Sequence, residues 1–429
     1  MAESTLKTPR GTKDFLPKDA RHKRWIEETL LELFACWNYQ EIVTPTMEYQ
    51  SVVTAEGALG PGDNLYRFFE KEGELIALRP DATTPVARLV AARLKEEPKP
   101  IRLCYSANVF RYAEPHAGRR REFYQAGVEL VGSSSYRADA ETIALAVQAL
   151  KAVGLKDFRI DIGHVDFYNG ILEHGRLSNS ERRRIRTALL KKDYVALGEF
   201  MADSNLAEAD KKLLEMLPHL RGGKDILAEA LKAVTNPISQ KAIHDLQAIY
   251  ELLGAFDVVQ WVQIDLGMVK DIEYYTGMVL EAYTADMGFT IGTGGRYDNL
   301  ISQFGYDCPA TGFALGVERL MLAISRQNAW PETSDKKVLC TYYQDAARQG
   351  WLLSKTLRKH GFIVELDVVA REPCMDPAQM VDYARTMGHQ WIVVPLASDA
   401  IKVWHGKMGW QTVDLQKLIT ILERGEWLG

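Results

Sequence analysis

The chain has 429 residues, of which 47% are hydrophobic and 25% charged, with a net charge of -5. That balance suits a soluble globular protein of two or three domains with a sizeable core, and it excludes a general nucleic-acid coat, which needs a basic face. Five cysteines (Cys36, Cys104, Cys308, Cys340, Cys374) lack CxxC or CxH spacing, so neither a disulfide framework nor a metal site is expected, and a reducing cytoplasm fits best.

In chain order, the opening "MAESTLKTPRGTKDFLP" carries no apolar run of the kind a secretory leader needs. Residues 18 to 36 predict an amphipathic helix, with Trp25, Leu30, Leu31 and Phe34 on helical spacing. "YQEIVTPTMEY" (39–49) reads as one strand stopped by Pro45, which cannot donate to a ladder. "LYRFFEKEGELIALRP" (65–80) predicts a hairpin around Lys71, Glu72 and Gly73. A helix starts in "ATTPVARLVAARLK"; "KPIRLCYSANVFRY" and "REFYQAGVELVG" follow as strands, joined by a loop over 113–120. "RADAETIALAVQALKAVGL" predicts a helix leading into the strand "FRIDIGH" (158–164).

Residues 170 to 255 change character: charged helical patterns dominate, and no strand is expected. Strand patterns resume at "WVQIDLGM", "GMVLEAYT" and "GFTIGTGGRYD", and "GFALGVERLMLAIS" (312–325) predicts a strand entering a helix. From "KVLCTYY" to "IKVWHG", strands and helices alternate, as in a small α/β domain over 335–429. Its acidic and basic residues nearly balance, so charge makes no case for RNA there. No uncharged apolar run approaches a membrane span.

"FRYAEPHAGRRREFYQAGVEL" (110–130) sets Arg111 and the triplet Arg119 to Arg121 among aromatics, with Glu114, Glu122 and Glu129 between them. With "RGTKDFLP", "LRPDATTPVAR", "KDIEYYTG", "GTGGRYDNL" and "GFALGVERL", in order, it resembles histidyl-tRNA synthetase and its class II relatives. Any one stretch is weak alone; the ordered set is specific. "IVTPTME" is similar to the class II dimer-interface motif. The resemblance implies an α+β fold: an antiparallel class II sheet with flanking helices over 1–328, a helical insertion at 170–255, and a C-terminal domain like an anticodon-binding domain at 335–429.

It also implies residue roles. Amino-acid activation brings a carboxylate onto the α-phosphate of ATP, and fixed cations must meet the charge that gathers. Arg111 matches the α-phosphate arginine, and Arg319 the one at the far end of the nucleotide; in isolation each could simply pair with a nearby Glu. Asp81, Thr83 and Gln125 would hold a histidine's α-amino group, Glu129 and Tyr275 would bracket its imidazole, and Tyr274 and Tyr297 would wall the site. Read blandly, these tyrosines are strand aromatics facing a core, and "GTGGRYD" is a glycine-rich turn.

Two departures matter. Synthetases read Phe-Arg-x-Glu-Arg-Pro-Gln where this chain has Phe110-Arg111-Tyr112-Ala113-Glu114-Pro115-His116. The methyl of Ala113 cannot accept the adenine amino group, and Glu114 reverses a charge where RNA would approach. Synthetases also carry Arg-Gly-Leu-Asp-Tyr-Tyr where this chain has Lys270-Asp271-Ile272-Glu273-Tyr274-Tyr275, and Lys270 lacks the planar fork that suits a phosphate. Arg111, Lys270 and Arg319 are therefore expected to mark a vestigial nucleotide site beside a working histidine site.

That combination resembles the synthetase-related regulatory subunit of ATP phosphoribosyltransferase. The resemblance implies no catalytic residue and no cofactor, histidine as effector, a short-form catalytic subunit as partner, and a homodimer within a hetero-oligomer. It makes tRNA an improbable ligand. The alternative is an active histidyl-tRNA synthetase with tolerated substitutions, which Arg111, Arg319 and the full-length C-terminal domain favour.

Overall fold

The computed structural model describes residues 6–55, 64–112, 120–191, 193–204, 206–269, 274–285, 287–331, 337–368, 377–396, 399–406 and 409–424. The chain divides into two compact units, Met1–Trp330 and Pro331–Gly429.

Nine strands form the main sheet of the first unit. In spatial order they are Gln40–Glu41, Ile101–Phe110, Glu122–Val131, Ala310–Gly316, Gly292–Arg296, Met278–Tyr283, Arg159–His164, Val262–Asp265 and Arg221–Gly222. The centre is antiparallel; parallel pairs occur where Gln40–Glu41 meets Ile101–Phe110 and where Arg159–His164 meets Val262–Asp265.

Side chains alternate across a strand, and the two faces of this sheet differ in chemistry. Ala126, Val128, Leu130, Ile160, Ile162, Leu280, Ala282, Phe313 and Leu315 join one core with residues of the helices Pro17–Cys36, Tyr136–Ala152, Pro237–Ala255 and Val317–Arg326. The opposite face meets the helix Thr83–Arg93 through Val86, Ala87 and Val90, and Tyr105, Val279 and Tyr297 belong to that second core.

Local chemistry sets the helix starts. Pro17 and Pro237 occupy first-turn positions, where a missing N–H costs nothing. Asn236 accepts the Ser239 N–H at 2.8 Å, and Ser135 accepts from Arg137 at 3.2 Å. The buried His164 caps Val165–His174 by accepting the Asp166 N–H through Nδ1, a role open to the neutral imidazole. Burial lowers its pKa to about 4.

Two expectations need correction. The stretch 39–49 is not one strand: Gln40–Glu41 lies in the main sheet, and Met47–Tyr49 in a three-stranded sheet with Leu75–Leu78 and Arg67–Phe69. Buried Arg79 fastens the crossing between them, donating to the Thr44 carbonyl at 2.7 Å and to the Asn108 carbonyl at 2.7 Å. The helical stretch 170–255 also contains one short strand, Arg221–Gly222, paired with Val262–Asp265. Its Arg221 carries ion pairs to Asp161 and Asp265, a link that helical periodicity cannot reveal. The hairpin expected at 65–80 is present, Arg67–Phe69 pairing with Leu75–Leu78.

The second unit has a mixed sheet ordered Ile363–Leu366, Lys337–Cys340, Trp391–Pro395, Ile401–His405, Gly409–Val413. The first three strands run parallel, Ile401–His405 runs against them, and Gly409–Val413 pairs antiparallel with Ile401–His405. The helices Ala347–Lys359 and Leu415–Arg424 supply Leu353, Leu357, Leu418, Ile421 and Leu422 to its core. No helix among the described residues is long and apolar enough to cross a membrane.

One buried ion pair ties the main sheet to the helix behind it. Arg296 donates to Asp139 (3.1 Å), to Asp298 (3.1 Å) and to the carbonyls of Ser133 (2.9 Å) and Ser135 (3.2 Å). Removing one partner leaves the other charge buried and unmatched. Arg296→Met is therefore expected to cost about 3–5 kcal/mol, read as a lower urea midpoint at unchanged slope.

Candidate functional site

The site grows from the register of two strands. In Glu122–Val131 the residues Gln125, Gly127 and Glu129 share the face away from the helical core, and Gly312 of Ala310–Gly316 pairs opposite Glu129. A Cβ on Gly312 would lie 2.0 Å from Glu129 Oε2, and one on Gly127 would lie 2.7 Å from the Tyr105 hydroxyl. Both glycines give up side chains so that larger neighbours fill the space above them.

Asp81 arrives from the segment that Arg79 fastens. Its Oδ1 accepts the Thr84 N–H at 3.1 Å at the start of Thr83–Arg93. Its Oδ2 is buried with no hydrogen-bond partner among the described residues, as is Gln125 Oε1. Burial raises the Asp81 pKa, against the pull of the Arg111 charge.

Glu129 is 1% exposed. Tyr105 donates to its Oε1 at 3.2 Å, and Tyr297 donates to its Oε2. Burial pushes its pKa up to about 7, against hydrogen bonds from Tyr297, Thr83 and Tyr105 that pull it down. Tyr274 stands edge-on to Tyr275 (4.7 Å between ring centres) and to Tyr297 (5.8 Å), completing an aromatic wall. Burial raises all three phenols, so they remain neutral donors near pH 7.

Asp81, Thr83, Gln125, Glu129, Tyr274 and Tyr275 thus line one cavity, and Arg111 and Tyr297 line it with them. Arg111 donates to the Pro80 carbonyl at 2.8 Å and lies over the Phe123 ring. The cavity is part open to solvent and narrow as its side chains stand, with about 20 Å3 of free space. Arg319 does not line this cavity; its Nη1 donates to the Thr290 carbonyl at 2.6 Å, and it lies over Phe289. Lys270 and the departures at Ala113 and Glu114 fall outside the described residues. Among the described residues no cluster of His, Cys, Asp and Glu suits a metal ion. Sequence reasoning missed Tyr105 and the two glycines. Tyr105 sits in an ordinary strand pattern, and only its pairing with Gly127 shows why it reaches Glu129.

A largely antiparallel sheet backed by helices, with a carboxylate-lined pocket between it and the helix Thr83–Arg93, has the architecture of the class II synthetase type. The family described as histidyl-tRNA synthetase matches residues 11–320. The ATP phosphoribosyltransferase regulatory subunit of Moorella thermoacetica is 41% identical over 90% of this chain and 98% of its own. That of Thermoanaerobacter pseudethanolicus is 41% identical over 83% of this chain and 93% of its own. A crystal structure described as an ATP phosphoribosyltransferase regulatory subunit/histidyl-tRNA synthetase from Bacillus halodurans superposes with a TM-score of 0.80 at 32% identity, over 91% of this chain and 98% of that one. The histidyl-tRNA synthetase of Nostoc sp. PCC 7120, at 20% identity and a TM-score of 0.81, shares the fold over 98% of this chain and 99% of its own. The chain belongs to the histidyl-tRNA synthetase-like family of ATP phosphoribosyltransferase regulatory subunits.

Two outcomes test this geometry. Gly312→Ala should destabilise by about 1–3 kcal/mol, because the added methyl must displace Glu129 or the strand. Gly198→Ala, in a helix with nothing within 4 Å of the new methyl, should stabilise by about 0.4–1 kcal/mol; chemical denaturation compares the two. The second outcome concerns pH. The folded pKa of Glu129 is raised from 4.5 to about 7, so its contribution is fully present below about pH 4.5 and is lost as pH rises through 7. Relative to Glu129→Gln, the wild type should therefore gain stability as pH falls from 7 towards 4.5. An unchanged difference across that window would refute the burial argument.

Proposed function

We propose that this chain is the non-catalytic regulatory partner of a short ATP phosphoribosyltransferase catalytic subunit. It acts in the cytoplasm, in the first step of histidine biosynthesis, and carries feedback by histidine bound in the pocket. The observation that carries this reading is a pair of buried acceptors, Asp81 Oδ2 and Gln125 Oε1, that have no partner among the described residues and belong to the same cavity as Glu129. An α-ammonium group brings only donors and suits both. The imidazole N–H then meets Glu129, with Tyr275 beside it. The names of the relatives support the regulatory role. Ala113, Glu114 and Lys270 in the sequence count against ATP chemistry.

Feedback requires histidine to bind two states of the assembly unequally. Histidine then favours whichever assembly state holds these pocket groups in the geometry that binds it.

The test combines calorimetric histidine binding, histidine-dependent ATP–pyrophosphate exchange, and turnover of the catalytic subunit with and without this chain. Binding without exchange, together with a histidine-sensitive change in turnover, is expected. Exchange at ordinary synthetase rates would return the chain to the active synthetases. A catalytic subunit indifferent to this chain would sink the partnership.

A further inference from the structure

Glu129 is held from both of its oxygens, yet the resemblance assigned a role to only one of its holders. Tyr105 rises from Ile101–Phe110 directly opposite Gly127, and the missing Cβ there lets its ring pass over the strand. Its hydroxyl reaches Glu129 Oε1 at 3.2 Å, while Tyr297 takes Oε2 from the other side. Thr83 lies close enough to both hydroxyl and carboxyl to pull the Glu129 pKa down. Tyr105 is 3% exposed and does not itself line the cavity, so it reaches a ligand only through Glu129.

We infer that Tyr105 is a positioning residue that selects for a ligand side chain ending in a ring N–H, by keeping Glu129 ionised and aimed as an acceptor. The inference rests on reading the pocket as a histidine site.

The chemistry follows from the donor inventory. An ionised carboxylate only accepts, and two phenols donating to it leave further lone pairs for a ligand N–H. A protonated Glu129 must instead donate, so a phenol has to turn round and the ligand N–H meets a weaker acceptor. Binding of a ring N–H therefore draws on the ionised form, and below the Glu129 pKa it releases one proton. Every hydroxyl removed from the carboxylate makes ionisation harder. The other groups facing Glu129 work in known directions: the Asp81 charge opposes its ionisation, with Arg111 offsetting Asp81, and Tyr274, Tyr275 and Tyr297 remain neutral. Burial keeps the Tyr105 phenol neutral as well.

The test is calorimetric titration of L-histidine into the full chain, wild type against Tyr105→Phe, from pH 6 to pH 9. Histidine's own titration is common to both proteins and cancels in the ratio of their Kd values. The variant should bind about tenfold more weakly at pH 6–7, if the carboxyl pKa rises by about one unit, and the ratio should approach one at pH 9. Glu129→Gln, which cannot titrate, should show no such convergence with Tyr105→Phe added to it. If Tyr105→Phe does not fold, Tyr297→Phe reads the same carboxylate from its other oxygen. A ratio that is flat across pH, whatever its size, makes Tyr105 a packing residue and overturns the inference. A wild type that does not bind histidine at all overturns the reading of the pocket itself.

Discussion

A carboxylate with 1% of its surface exposed must be met by donors, and the architecture around Glu129 follows from that need. Its strand has to be central, because only there do neighbours arrive from both sides. The strand carrying Tyr105 lies on one side, and the strand carrying Gly312 on the other. Tyr297 follows directly on the strand after that, Gly292–Arg296. One residue of slip in any of these ladders would turn the donors to the opposite face, towards the helices.

The same alternation explains why the sheet tolerates so polar a site. Ala126, Val128 and Leu130 bury apolar surface against the helical layer, which anchors the strand independently of what its other face carries. Arg296 adds a second anchor by holding the chain just before Tyr297 to Asp139 and to two carbonyls. The pocket is thus an expensive surface on a well-supported element, and the support is what fixes its side chains in place.

Much of this was legible in the sequence, for identifiable reasons. Strands such as "FRIDIGH" and helices such as "RADAETIALAVQALKAVGL" carry strong periodicity, and the structure contains both. Asp81, Thr83, Gln125, Glu129, Tyr274 and Tyr275 come from three distant segments, and the structure brings them to one cavity. What stayed hidden depends on pairing. The break inside 39–49 is set by Arg79, thirty and more residues away, and Arg221–Gly222 is a strand only because Val262–Asp265 lies beside it. Tyr105 and Gly312 are unremarkable until the register puts each against Glu129's strand.

Arg319 shows how resemblance and geometry can part. The motif around it resembles a nucleotide clamp, yet its guanidinium donates to Thr290 and lies over Phe289, outside the cavity that holds the carboxylates. Arg111 likewise spends its Nε on a backbone carbonyl. A guanidinium that already donates to the protein has fewer N–H groups to offer a phosphate. In the cavity that Arg111 helps to line, Asp81 and Gln125 each keep a buried acceptor with no partner among the described residues. Unmatched buried acceptors are costly, and a donor-rich ligand would offset that cost. These two acceptors are therefore the physical support for the amino-acid pocket proposed above.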